Sequence, residues 1–482
     1  LIGTTNADST LIGPNAVNTW TITAQDQGSL NGINFIDFQN LTGSFSNDTF
    51  TFSDGAEVTG LIDGGEETDT FDYSAYTTPI SLDISPIPQV GTGSSNFQNI
   101  DIFLGGSASD SLTATNGDDT LTLTGTDTGS IAWLNFNSFE NIDTGDGNDL
   151  IVIPEGTQLS GTLDGGSGTD RLDYSASTTP VTINLDSNDT TGINRFSNLE
   201  IIRGSSSALD TLQGTSTDDT VTVTGNNAGT FNTITFRDIE NLDGQGGNDQ
   251  FTFNGGNITS IDGGTGTDAI AADDIANNWI ITGPASGTLN GIPLNTVETL
   301  IGNTNTDQFQ FADGVRFNGT IDGGANTDTL DFSNYTTDPM VDLASLGANQ
   351  VETVVGSTLA PNSTLQGSNT VNTWDLSGAD AGTINGTTQY SQFNTLVGGN
   401  NSDTFQLNGG SIAGSIDGGL GNDIVQGTVG DDRVAIAAPN AATINGTSFT
   451  NVESFDGQTG TDTLQGTVGN DTIIITGTTS AT

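Results

Sequence analysis

Threonine alternates with apolar residues along several short stretches of this chain: Thr19-Trp20-Thr21-Ile22-Thr23, Phe50-Thr51-Phe52, Thr120-Leu121-Thr122-Leu123-Thr124 and Thr220-Val221-Thr222-Val223-Thr224. A period of two sends successive side chains to opposite faces of an extended backbone, so these segments predict β-strands with apolar residues inward and threonines outward. No stretch carries the period of an amphipathic helix. A second strand precedes the glycine turns in Phe139-Glu140-Asn141-Ile142, Ile239-Glu240-Asn241-Leu242, Val297-Glu298-Thr299-Leu300 and Val452-Glu453-Ser454-Phe455. Its recurring glutamate is expected to face solvent.

Between the strands lie turns with a common spelling. GGSGTDRLD from Gly165, GGTGTDAIA from Gly263 and GGLGNDIVQ from Gly418 all read Gly-Gly-x-Gly-x-Asp-x-apolar-x, and looser copies surround them at Thr144, Gly244, Gly457 and Gly466. Others keep the aspartate but lose the third glycine, at Gly64, Gly105, Gly323 and Gly398. A glycine turn with one carboxylate followed by a short strand is the pattern of a calcium-binding parallel β-helix.

Spacing extends this. The anchor that opens the alternating strands falls at Asn18, Asp119, Asp219, Asn278, Asn372, Asp432 and Asp471, at intervals near multiples of 20, and Asp48 to Asp69, Asp149 to Asp170 and Asp307 to Asp328 are each 21 apart. The expected fold is all-β, a right-handed parallel β-helix (a β-solenoid, β-roll-like) with coils of about 20 residues. Without a charged or proline-rich linker, residues 1–482 read as one continuous array. Internal modules run over roughly 1–115, 116–215, 216–275, 276–368 and 369–482, and about 24 coils at the interstrand spacing of about 4.8 Å predict a rod. Ser85 to Ser95 and Thr337 to Asn349 read as loops inserted between coils.

Charge narrows the function. Fifty-nine acidic residues face six arginines, with no lysine, histidine or cysteine, for a net charge of -53. A nucleic-acid partner needs clustered cations, and an anionic membrane surface is disfavoured for the same reason. No apolar run reaches transmembrane length. In-register stacking brings equivalent aspartates about 5 Å apart, where they repel by nearly 1 kcal/mol per neighbour even in water. Cations between coils would reverse that penalty. An all-oxygen ligand set suits Ca²⁺, and zinc is excluded by the missing thiolates and imidazoles.

The strict nonapeptides resemble the repeats-in-toxin calcium-binding family. The wider modules, such as Asp164 to Leu185, Asp322 to Leu343 and Asp63 to Ile84, look like the large β-strand-repeat surface proteins of bacteria. The resemblance implies that the sixth-position aspartate and turn carbonyls hold calcium between coils. Carried over, Asp170, Asp268 and Asp423 are the foremost ligands, followed by Asp149, Asp249, Asp432, Asp462 and Asp471. The aspartates before the turn, Asp164, Asp262, Asp322 and Asp417, are weaker candidates. The competing role is turn capping through side-chain to backbone bonds.

The expected function is an extracellular, calcium-stiffened structural protein of a bacterial cell surface or matrix. It forms a rod or a filament with head-to-tail copies of itself, with a glycan or cell-surface partner as a further possibility. A polysaccharide-acting β-helix enzyme is the first rival. It lacks a histidine or lysine, and Arg171, Arg195, Arg203, Arg237, Arg316 and Arg433 look scattered along the chain. An ice-binding threonine face is the second, broken by Val434, Ile436 and Leu376.

Overall fold

In the computed structural model, which describes residues 1–4, 8–345 and 347–469, every regular element is a β-strand, commonly three to six residues long. In a strand as short as Thr211–Gln213 only the central residue points inward, so a core can be one side chain wide. The chain divides into two compact units, residues 1–245 with 256–258, and residues 246–255 with 259–469 of the described chain.

Each unit is built on parallel strands in register. In the first, Trp20, Phe50, Phe71, Phe103 and Phe136 stack as successive register partners, and so do Leu121, Ile151, Leu172, Ile202 and Phe236. The second has Trp279, Phe309, Leu330, Val354 and Tyr390, then Trp374, Phe405, Val425 and Phe455. All but Phe455 are buried, and Trp20 on Phe50, Trp279 on Phe309 and Trp374 on Phe405 lie face to face with interplanar angles of 11°, 12° and 15°. Parallel in-register stacking explains why the same residue types recur coil after coil.

The parallel coil is interrupted where the sequence looked most regular. Each alternating Thr-rich strand is the first of a three-stranded antiparallel meander. Thr19–Ala24 pairs with Gln27–Leu30, which pairs with Ile33–Ile36. The same occurs from Thr120–Gly125, Thr220–Gly225, Asn278–Gly283, Thr373–Gly378 and Arg433–Ala438. Asn31-Gly32, Asn290-Gly291, Asn385-Gly386 and Asn445-Gly446 close the second hairpin with positive φ at both residues, the Asn-Gly turn that matches strand twist.

The expected uniform coil of about 20 residues is therefore corrected. Thr49 pairs with Thr70 and Gln250 with Ala269, coils of 21 and 19 residues, whereas Thr19 pairs with Thr49, 30 residues on, because a meander is inserted. Thr353 to Gln389 spans 36. The supposed loop Ser85 to Ser95 contains most of a second kind of hairpin, in which Gln89–Gly91 pairs antiparallel with Ser81–Asp83 and Ser94–Gln98. Thr337 to Asn349 holds the parallel strands Met340–Asp342 and Ala348–Asn349.

Candidate cation-binding ladder

The residue immediately before each inward strand carries the chemistry. Its backbone N–H donates to a carboxylate at the same place one coil later. In the first unit Asn18 donates to Asp48 Oδ1 at 2.6 Å, Asp48 to Asp69 Oδ1 at 2.7 Å and Asp69 to Asp101 Oδ2 at 2.9 Å. A second run links Asp119, Asp149, Asp170 and Glu200 at 2.7 to 2.8 Å. The second unit repeats it with Asn277, Asp307, Asp328 and Glu352, and with Asn372, Asp403, Asp423 and Glu453. Donor is always the earlier coil, acceptor the later.

The recurring glutamates end these runs. Glu140, Glu200, Glu240, Glu298, Glu352 and Glu453 each accept such an N–H. Their expected solvent-facing role is thereby corrected, and Glu240 is buried. The anchor placed at Asn278 is Asn277, whose amide occupies the rung.

The first motif glycine makes the carboxylate fit. A Cβ on Gly398 would lie 2.3 Å from the Gly418 carbonyl oxygen and 2.5 Å from Asp403 Oδ2, and on Gly302 it would lie 2.3 Å from Asp307 Oδ2 and 2.5 Å from Gly323 O. A side chain there would displace the carboxylate, so glycine stands five residues before the aspartate. The second carboxylate oxygen thus comes to rest beside a carbonyl of the following coil. Oδ2 of Asp48, Asp69, Asp170, Asp307, Asp328, Asp403 and Asp423 is buried and carries no hydrogen bond.

Burial outweighs the donated N–H bonds and raises the carboxyl pKa of Asp48, Asp149, Asp170, Asp307 and Asp423 above the ordinary value. Burial, with carboxylates nearby, takes Asp69 to about 7 and Asp328 and Asp403 to about 6. These groups are short of positive charge. A proton or a hard cation beside Oδ2 and a carbonyl would meet that need, and the all-oxygen surroundings fit Ca²⁺. Among the described residues no group of three or more acidic side chains converges as a ready metal cage, so backbone carbonyls would have to supply the remaining donors.

The sequence-derived ligands divide on this frame. Asp170, Asp423, Asp149, Asp249 and Asp268 are buried ladder rungs. Asp432 opens a run; Thr428 gives its N–H to Oδ2 and its hydroxyl to Oδ1, and Asn445 donates to Oδ1. Asp462 accepts the Asp432 N–H at 3.1 Å. Asp471 lies outside the described residues. The pre-turn aspartates are half-buried caps: Asp164 and Asp417 each accept a glycine N–H two residues on and an asparagine amide from the next coil, at 2.7 Å for the latter. Asp262 accepts from the Thr296 hydroxyl and Asp322 from Gln350.

Asp48, Asp69, Asp307, Asp328 and Asp403 are rungs that the motif spelling passed over. The signal that finds them is a glycine five residues upstream together with an apolar residue two downstream. Asn31, Asn232, Asn290, Asn385 and Asn445 were missed as well; each donates its amide to the head of a run and accepts an N–H from the first meander strand. Neither a family model nor a curated protein matches this chain.

Proposed function

We propose that this chain is an extracellular structural protein of a bacterial surface or matrix, a right-handed β-solenoid stiffened by calcium and joined head to tail with copies of itself. The observation that carries this reading is the column of buried aspartates whose second oxygen has no partner. Calcium would supply neutralising charge and oxygen cross-links between coils, held by the sixth-position aspartates with turn carbonyls. Asp48, Asp69, Asp149, Asp170, Asp307, Asp328, Asp403 and Asp423 are the proposed carboxylate donors, joined by Asp249 and Asp268 from the same register.

Where calcium is scarce the carboxylates repel and the chain stays unfolded. Millimolar calcium outside the cell fills weak sites, with affinities of about 10⁻⁴ to 10⁻³ M, and folding follows. Circular dichroism in 1 mM calcium and in EGTA at pH 8 tests this. The β signal is expected only with calcium, and an unchanged signal on chelation overturns the proposal. Electron microscopy of the calcium-loaded protein separates filaments from single rods.

A further inference from the structure

The six arginines are not dispersed in space. Arg171, Arg203 and Arg237 stand on three successive parallel strands of the first unit, Arg171–Asp173, Ile201–Arg203 and Ile234–Arg237. Asp173 is the register partner of Arg203, and Arg203 of Arg237. Arg171 contacts Asp173 at 3.1 Å; Arg203 reaches Asp173 at 3.9 Å and Asp238 at 2.8 Å. Arg237 is exposed and forms no ion pair among the described residues. Half-buried Leu150, Val152 and Ile201 adjoin them on the same outward face. On a chain of net charge -53, this is a concentrated cationic and apolar patch.

We propose that this arginine face docks the acidic turn column of a second copy of the chain, joining molecules side by side. Two features on the page select that occupant. Every copy carries exposed carboxylates on its turns, Glu66, Glu67, Asp118 and Asp146 among them. Those turns repeat with the coils, as the arginines do, so both surfaces share the interstrand spacing of about 4.8 Å. Planar guanidinium groups in a row match carboxylates in a row of equal pitch. The two surfaces differ, so the contact is heterologous and does not close on itself. It is independent of calcium bridging, which needs no arginine.

The test is sedimentation velocity in 1 mM calcium, at about 20 mM and about 500 mM NaCl, because contacts between exposed charges weaken as screening increases. Wild type is expected to associate at low salt and to dissociate at high salt. Arg203→Glu/Arg237→Glu is expected to associate at least about tenfold more weakly, while Arg316→Glu, outside the patch, associates like wild type. An unchanged circular dichroism spectrum establishes that the double variant is folded. If it does not fold, Arg237→Glu alone, at an exposed unpaired position, must still weaken association. Wild type remaining monomeric at low salt, or the reversed variant associating equally, overturns the proposal. So does an arginine-dependent capture of polygalacturonate by a protein that does not self-associate. If the calcium reading fails and the protein folds without the ion, the same comparison is made in EGTA.

Discussion

Asn18 and Asp119 occupy the same place in the fold, each opening a run at the foot of a meander, yet they use opposite hydrogen bonds. The Asn18 amide donates to Pro14 O and, across the coil, to Gly43 O. Asp119 Oδ2 instead accepts the N–H and hydroxyl of Thr115 at 2.9 and 2.7 Å. The residue four positions earlier goes with the choice: Thr115, Thr215 and Thr428 turn donors toward Asp119, Asp219 and Asp432, while Pro14, Asp273 and Ser368 present a carbonyl to Asn18, Asn277 and Asn372. The interior rungs combine the carbonyl of one with the carboxylate of the other. That mismatch is where a proton or cation is needed, and it arises from which residue sits on which turn.

The comparison breaks most severely at the glycine that gives the carboxylate its room. Gly398→Ala is expected to cost about 3 kcal/mol or more in calcium, because its Cβ meets both oxygens. Gly386→Ala, also glycine but facing open space at a φ of 69°, costs only about 1 kcal/mol. Denaturant titration of both variants measures the difference, and equal losses would remove the steric account.

Converting interior rungs to the Asn18 type sharpens it further. Asp328→Asn/Asp403→Asn places amides where carboxylates face carbonyls. The pair is expected to stabilise the metal-free protein by about 2 kcal/mol, at roughly 1 kcal/mol per hydrogen bond, and to reduce the rise in Tm on adding calcium. Thermal unfolding with and without EGTA reads both effects.

Protons should substitute for cations. Folding raises the pKa of Asp69 to about 7 and of Asp328 and Asp403 to about 6, mainly through burial. The folded state therefore binds those protons more tightly than the unfolded chain. Their stabilising contribution is complete below a pH of about 4 and is lost as pH rises through 6 to 7. In EGTA the β signal is expected to survive at pH 5 and disappear by pH 8, and in calcium the same pH change should lower Tm much less.

The smallest effect is also the most specific. Asn277→Asp should destabilise by about 1 kcal/mol by turning an oxygen toward the Gly302 carbonyl. Adding Asp273→Thr, which recreates the turn of Asp119, should restore that loss. Denaturant midpoints of the single and double variants decide it.

Much of this arrangement was legible in the residues. Alternation showed the strands, glycine turns showed the coils, and Asp170, Asp268 and Asp423 fell on rungs of the ladder. Thr120 to Thr124 was misread as an ordinary parallel rung because a period of two says which face a side chain takes, but not which way the neighbouring strand runs. The Asn-Gly dipeptides at 31, 290, 385 and 445 carried the missing information, since such a pair between apolar alternations marks a hairpin. Arg171, Arg203 and Arg237 looked scattered for a related reason. Their separations of 32 and 34 residues are close to one meander-bearing coil, and a ruler of 20 hides that.

The ladder has a direction that the paired strands alone do not reveal. Each amide waits for an acceptor that is synthesised later, so no rung is complete when it leaves the ribosome or an export channel. Completion passes forward, one turn behind the advancing chain. Growth from the first coil leaves only a single unmet donor at the moving front of each run, whereas growth from the last would leave a bare buried carboxylate there. The cheaper front is the one that travels with translation.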